Sequence, residues 1–450
     1  MKGKPQLFGT DGVRGIAGEY PLDRVTVYKL GIALSSVLRR SDNRRPLCVL
    51  LGEDTRESSP WISRLLASGL RSAGAEVVYA GVITTPGVAF LTRHHRFGAG
   101  IVVSASHNPY HDNGIKVFSG EGVKLAEGVE LETERELAGM KTDAVTEQTL
   151  EADASLLHDY VERLARLVEG GPWVAPRRLV IDCANGAASH VVPPLLDRLG
   201  IDASVLHARP NGRNINLHCG SLHPERMAEE TRARQADLGV AFDGDADRAI
   251  FATPDGRTVD GDHVLFTLAP FLQRQKLLKG GAVVGTSMTN LGLEIALARV
   301  GIGLKRVAVG DKYVLEEMLR SGINLGGEPS GHIIFSDISL AGDGLITLLE
   351  VLRVVAATGE PLSALVHGLK QFPQIIRNVR VRARRPLDSI PEVTTAIEAC
   401  RRDFGDRGRT VVRYSGTEPL VRVMVEGEEA RDVEHHAAVI AGAIRHALGV

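Results

Sequence analysis

The sequence predicts an α/β protein of several domains, with three strand–loop–helix units followed by a smaller α+β unit. Three observations carry this prediction. Short apolar runs recur along the chain, each passing into a polar loop and then into a helical period. The 450 residues accommodate about three domains at the usual roughly 150 residues each. Glycine, with 49 residues, is the largest departure from average composition, as many α/β turns and close backbone approaches require.

Residues 24–39 (RVTVYKLGIALSSVLR) read as a helix, and 46–54 as a buried strand ending in polar residues. Residues 59–72 form the next helix and 75–81 another strand; GAGIVVSAS at 98–106 then runs a strand directly into polar chemistry. The stretch from Leu125 to Leu167 reads as helical and acidic, which places a domain boundary inside it, near residue 150. RRLVIDCANGAAS at 177–189 opens a second unit, which ADLGVAFDGDADRAIFATPDG closes at 236–256. GGAVVGTSM, GLKRVAVGD and GINLGGEPSGH belong to a third, and a fourth begins around Phe372. The expected domains are 1–150, 151–253, 254–370 and 371–450. Doubly wound sheets expose chemistry at the carboxyl ends of their strands, so such units can surround one cleft.

Lys+Arg 53 against Asp+Glu 55 gives a net charge of -2, which provides no global basic field for nucleic acid. Aromatic residues at 4% disfavour a base-stacking platform. Cys48, Cys183, Cys219 and Cys400 form no CxxC pair, which favours reduced thiols over a disulfide scaffold or zinc knuckle. The start, MKGKPQLFGTDGVRG, has no apolar signal region, and no run of 18 apolar residues suggests a membrane span. A cytoplasmic enzyme is the expected class.

Four constellations can carry chemistry. In Ser104–Pro109, followed by Asn113, Gly114 and Lys116, Ser106 can act as nucleophile or phosphate carrier, with His107 and Lys116 stabilising transferring oxygens. A turn held by Ser, Asn and Pro is the competing reading, and no G-x-S-x-G elbow is present. Asp243, Asp245 and Asp247 alternate with Gly244 and Ala246; their carboxylates can converge on a hard divalent cation such as Mg²⁺, with Arg248 neutralising a phosphate beside it. A solvated acidic turn is the alternative. Glu328, Ser330 and His332 can hydrogen-bond sugar hydroxyls, or form a helix-capping turn. Arg413, Ser415, Gly416, Thr417 and Arg422 offer guanidiniums, hydroxyls and loop N–H groups to a dianionic phosphate. This segment lacks the Walker A ending. Arg14 is a further phosphate contact or a surface arginine. Asp182 and Asn185 read as strand-end loop and capping residues, Asp343 as a helix cap, and Asp311 and Lys312 as a sugar contact or a helix start.

FGTDGVRG, SASHNPYHDNGIKVF, FDGDADR, GGEPSGH and RYSGTEPLVRVMVEG, in this order across nearly the whole chain, closely resemble the α-D-phosphohexomutase family. NINLHCGSLHPE at 214–225 and VGDKYVLEEM at 309–318 resemble its amino-sugar branch. The resemblance implies three related α/β domains with mixed sheets plus a smaller C-terminal α+β domain around a central cleft. It implies a phosphorylated Ser106 and one Mg²⁺ held by Asp243, Asp245, Asp247 and a phosphoryl oxygen on Ser106. Arg14, His107, Lys116 and Arg248 surround the transferring group, with Lys116 the preferred proton-transfer residue, through a lowered pKa or a substrate-assisted relay. Glu328, Ser330 and His332 recognise the sugar, and Arg413, Ser415, Gly416, Thr417 and Arg422 clamp its non-reacting phosphate. The implied reaction interconverts D-glucosamine 6-phosphate and α-D-glucosamine 1-phosphate through glucosamine 1,6-bisphosphate. The expected partners are a phosphosugar and an activating kinase, with no nucleic acid and no membrane. Neutral hexose phosphates are the alternative substrates, and a non-catalytic phosphate-sugar binding protein is the alternative of another class. Three departures stand out: Tyr414 replaces the usual proline of the clamp, Pro329 replaces the usual glutamine of the sugar loop, and VITTPG at 82–87 differs from the usual PTPA-containing loop.

Overall fold

The structure is a computed structural model that describes residues 7–9, 11–41, 46–141, 145–169, 178–415 and 419–449. Four sheets lie along the chain, as the sequence expects of three α/β domains and one α+β domain. The first contains β1 (Phe8–Gly9), β2 (Gly12–Ile16), β3 (Leu47–Glu53), β4 (Ala75–Val82), β5 (Ala99–Val103) and β6 (Asp112–Ser119), in the order β1-β2-β6-β5-β3-β4. The second contains β7 (Leu179–Asp182), β8 (Ala203–Leu206), β9 (Leu238–Phe242), β10 (Ala249–Ala252) and β11 (Thr258–Val259), ordered β11-β10-β9-β7-β8. The third contains β12 (Ala282–Thr286), β13 (Gly303–Val307), β14 (Leu325–Gly327) and β15 (Ile333–Phe335), ordered β13-β12-β14-β15.

These three sheets repeat one plan. A parallel core (β3 with β4 and β5, β7 with β8 and β9, β12 with β13 and β14) is followed by one antiparallel return. The returns are β5 to β6, β9 to β10 and β14 to β15. Each turn between the last parallel strand and its antiparallel partner carries one predicted constellation: the Ser106 loop, the Asp243–Arg248 loop and the Glu328–His332 loop. The fourth sheet is wholly antiparallel, β16 (Gln374–Arg380), β17 (Gly408–Tyr414) and β18 (Leu420–Gly427) in the order β16-β18-β17. Helices Pro391–Phe404 and Ala430–Leu448 pack beside it.

The inner parallel strands β5, β9 and β12 are apolar and buried on both faces, as helix-covered strands must be. Helix ends follow the chemistry of their caps. Asp343 accepts from Leu345 and Ile346 N–H at the start of Gly344–Thr358, and Asp260 accepts from His263 N–H at Gly261–Arg274. The predicted helical stretch from Leu125 to Leu167 holds two helices, Glu127–Gly139 and Ala154–Arg166, and the described residues between them are not helical. One continuous apolar core runs through the first three sheets, from Leu50 and Phe118 through Leu179 and Phe242 to Val283 and Leu369. The fourth sheet has its own core, from Val379 to Leu448.

Candidate active site

Ser106 sits just past β5 with φ +52°, a backbone conformation that costs a non-glycine residue and persists only where its surroundings enforce it. The enforcing groups are visible. Ser106 N–H donates to Ser104 Oγ at 3.0 Å, and Ser104 donates to Asp54 Oδ2 at 2.7 Å. The fully buried Arg56 pairs with Asp54 at 2.9 Å and donates through Nη2 to the carbonyls of Ser106 and Asn108, each at 2.9 Å. Asn216 of the second domain donates to the same two carbonyls at 2.9 and 3.1 Å. The Ser106 hydroxyl donates to Asp243 Oδ2 at 2.5 Å, and its oxygen lies 3.3 Å from His107 Nδ1.

Asp243, Asp245 and Asp247 each direct one carboxylate oxygen to within 4.8 Å of the others. The turn that does this places Ala246 at φ +57° and brings Gly244 so close that a Cβ there would stand 2.5 Å from the Ser106 carbonyl. Thr85 donates to Asp245 Oδ2 at 2.5 Å, and Lys116 Nζ reaches Asp245 at 2.8 Å and Asp247 at 3.3 Å. Asp245 Oδ1 and Asp247 Oδ1 are buried without a hydrogen-bond partner. Burial and the charges of Asp247 and Asp245 hold the Asp243 carboxyl well above the usual carboxylate range. An all-oxygen cluster with two orphaned buried oxygens fits a hard divalent cation such as Mg²⁺.

The surrounding cations are set by this field. Burial alone would lower Lys116, but Asp11, Asp245 and Asp247 hold its pKa well above the ordinary value. As a proton-transfer residue, Lys116 is expected to act by a substrate-assisted relay or by a lowered pKa. The structure gives the opposite direction, because three carboxylates face the ammonium. Burial, with Arg248 and Arg14 nearby, pushes His107 down to about 4, so it is neutral at pH 7. His332 is buried, which would lower it, but Asp247, Asp311 and Glu328 raise it to about 9. Its Nδ1 lies 3.7 Å from Asp247 and its Nε2 3.8 Å from Asp311. Arg14 pairs with Asp11 and donates to Asn108 Oδ1 at 3.3 Å, and Arg248 N–H donates to Asp243 Oδ1 at 3.2 Å.

Three domains therefore bring Ser106, His107, Lys116, Arg14, the aspartate triplet, Arg248 and His332 together. Glu328 belongs to the same turn as His332: Glu328 N–H donates to the His332 carbonyl at 3.0 Å, while its Oε1 accepts from Gly310 N–H at 3.0 Å. Ser330 Oγ is buried without a partner. Arg413 and Arg422 stand opposite each other on β17 and β18, and Ser415 N–H donates to the Leu420 carbonyl at 2.9 Å. Gly416 and Thr417 lie outside the described residues. Tyr414 exchanges hydrogen bonds with the Arg385 backbone at 2.6 and 2.9 Å and lies under Arg384, which donates to the Ser415 carbonyl at 2.8 Å.

The sequence reading missed residues that act through tertiary contact alone. Arg56, Asp54, Thr85 and Asn216 hold the loops. Lys124 bridges Asp11 at 2.6 Å and Asp311 at 2.8 Å, joining the first and third domains beside the site. Their one sequence signal was position, since Asp54 and Arg56 follow the carboxyl end of β3.

Three repeated hairpins that pool a serine, an acidic triplet and a histidine, with an arginine-bearing fourth sheet, define a phosphohexose mutase. The chain belongs to the phosphoglucomutase/phosphomannomutase family. Profiles of the family's alpha/beta/alpha domains I, II and III match residues 5–143, 158–256 and 260–372, and that of its C-terminal domain matches 377–443. The phosphoglucosamine mutase of Koribacter versatilis is 51% identical, with 99% of this chain and 98% of the relative covered. That of Solibacter usitatus is 47% identical, covering 98% and 99%. A phosphoglucomutase/phosphomannomutase family protein of Burkholderia thailandensis has a solved structure that matches over the whole of both chains, with TM-score 0.79 and 25% identity. Membership makes the chain an isomerase that works by phosphoryl transfer. Among the described residues, no helix is long and apolar enough to cross a membrane.

Proposed function

We propose that the protein is a phosphoglucosamine mutase, interconverting D-glucosamine 6-phosphate and α-D-glucosamine 1-phosphate. The observation that carries this reading is the 51% identity, over 99% of the chain, to a relative of that name. Ser106 is the phosphate carrier. In the first transfer its Oγ–P bond breaks while the free sugar oxygen bonds to phosphorus, and the sugar hydroxyl proton ends on Ser106 Oγ. The regenerated hydroxyl is the one that donates to Asp243 Oδ2 at 2.5 Å. The resulting glucosamine 1,6-bisphosphate turns over in the cleft, and its other phosphate returns to Ser106. Asp243, Asp245 and Asp247, with a phosphoryl oxygen on Ser106, would hold a Mg²⁺ that supplies charge neutralisation at the transferring group. Lys116, Arg14 and Arg248 add fixed positive charge around it, and Lys116 acts as a cation rather than as a base.

Glu328, Ser330 and His332 bind the sugar, with His332 held cationic at neutral pH. Arg413, Ser415, Gly416, Thr417 and Arg422 clamp the phosphate that does not react. Priming comes from the bisphosphate, from autophosphorylation or from an activating kinase. The separate core of the C-terminal domain suits a body that closes on the sugar and reopens for its turnover. The enzyme works in the cytoplasm.

A bisphosphate-primed mutase assay across glucosamine, glucose and mannose phosphates tests this. Glucosamine phosphate is expected to give the highest kcat/KM. A preference of about tenfold or more for a neutral hexose phosphate, a difference of roughly 1.4 kcal/mol, would overturn the assignment. The second reading, a neutral-hexose mutase, draws on Pro329, which puts a carbonyl bonded to Gly261 N–H at 3.1 Å, and no side-chain amide, in the sugar loop. Ser106→Ala is expected to abolish sustained turnover and the mass increment of phosphorylation. Asp245→Asn is expected to weaken Mg²⁺-dependent transfer, and undiminished turnover at limiting Mg²⁺ would count against its ligand role.

A further inference from the structure

We infer that the protein has a second metal site, for one zinc-class ion, formed by Asp182, His207 and Cys219 beneath the catalytic loops. One ligand atom from each residue lies within 4.8 Å of the other two. Asp182 ends β7, His207 follows β8, and Cys219 lies in the loop running from there towards helix Glu225–Ala233. No metal spacing along the chain marks these three residues, which only the fold gathers. Carboxylate, imidazole and thiol form a mixed oxygen, nitrogen and sulfur set, which zinc accepts and magnesium does not.

The surroundings suit an ion. Asp182 and Cys219 are 0% and 1% exposed, while the His207 side chain is 31% exposed and closes the outer side, leaving a fourth position for water. His207 Nδ1 stands 2.9 Å from Asp182 Oδ2, an ion-pair contact in which a metal ion would take the place of the imidazolium proton. The carboxylate is held from behind by Ala184 N–H at 2.8 Å on Oδ1 and Gly220 N–H at 3.0 Å on Oδ2. Asn185 Nδ2 lies 3.9 Å from Cys219 Sγ. Such outer donors fix a ligating carboxylate and favour a thiolate. Binding replaces the S–H bond by a metal–sulfur bond and releases one proton to solvent.

The site also touches the chemistry. Asn216 N–H donates to the Ala184 carbonyl at 2.9 Å while its side chain holds the Ser106 carbonyl, and Ser221 N–H donates to the carbonyl of Phe242, next to Asp243. Ala184, Asn185, His207, Asn216 and His218 all have positive φ, so this knot is held against local preference. An ion bound here would brace the seats of the catalytic serine and the aspartate triplet.

The test is Co²⁺ titration of the full-length, metal-stripped protein with the aspartate triplet saturated by Mg²⁺. The expected result is a thiolate-to-cobalt charge-transfer band saturating at one Co²⁺ per chain and abolished by added Zn²⁺. Cys219→Ser removes the band, Asp245→Asn retains it, and His207→Gln weakens Co²⁺ binding by at least about tenfold. Absence of the band, or its persistence in Cys219→Ser, overturns the site. Should Cys219→Ser fail to fold, the partly exposed His207→Gln decides, and unchanged affinity there overturns it equally.

Discussion

Arg56 illustrates how one buried side chain sets a strained residue. Its guanidinium spends its donors on Asp54 and on the carbonyls of Ser106, Asn108, Pro109 and Asp112, so the serine loop is threaded around a cation. Arg56→Met leaves Asp54 buried without its cation and is expected to cost about 3–5 kcal/mol, read as a shift in denaturation midpoint. Gly244→Ala forces apart the Ser106 carbonyl and the metal loop and should lower kcat by about 10²-fold with the fold retained, since a misplacement of about 1 Å can cost that much. Glu53 is a titration probe. Burial pushes its carboxyl up to about 7 from the usual 4.5, so the native state binds more protons than the unfolded chain between these values. Stability therefore falls as pH rises from 4.5 through about 7, by up to about 3 kcal/mol. Urea midpoints at pH 5 and pH 8 should differ less in Glu53→Gln than in the parent; an identical pH slope would refute the assignment.

At the scale of elements, the three catalytic loops are one hairpin used three times, each after the last parallel strand of its sheet. This part was legible in the sequence, because an apolar run ending in SASHN, DGDAD or GEPSGH marks strand and turn together. The fold class followed from the same phrase. What could not be read were the groups that seat those turns. Thr85 is an ordinary helix-start threonine until the fold sets it 2.5 Å from Asp245, and Lys124 is an ordinary charge until Asp11 and Asp311 flank it. The direction of the Lys116 pKa was lost for the same reason, since Asp11 faces it only in the folded chain. The fourth domain is joined to the third by Arg409, which pairs with Glu426 at 2.6 Å and donates to the carbonyls of Ser287 and Thr289 at 2.8 and 2.6 Å. Arg409→Ala should loosen this tether, raising KM for the sugar phosphate roughly tenfold, about 1.4 kcal/mol of uniform binding, with little change in kcat. Equal loss in both parameters would place Arg409 in the chemistry instead.

For the whole molecule, the distribution of apolar cores sets the units of stability. One core spans the first three sheets, whereas the fourth sheet is covered by its own two helices. Calorimetry is expected to resolve two transitions, the smaller from the C-terminal domain, with a bisphosphate ligand raising the smaller one. A single transition insensitive to ligand would show that the polar tether couples the domains fully. The three-hairpin plan has one further consequence, in mechanical terms. The reaction centre is an intersection, with each sheet contributing one tip and none owning the whole. A domain radius of about 13 Å acts as a lever, so a tilt of about 4° at a distant packing contact moves a tip by about 1 Å. Errors far from the cleft are thus delivered to it undiminished. The shared core across the three sheets is, in this sense, the alignment frame of the instrument as much as its source of cohesion.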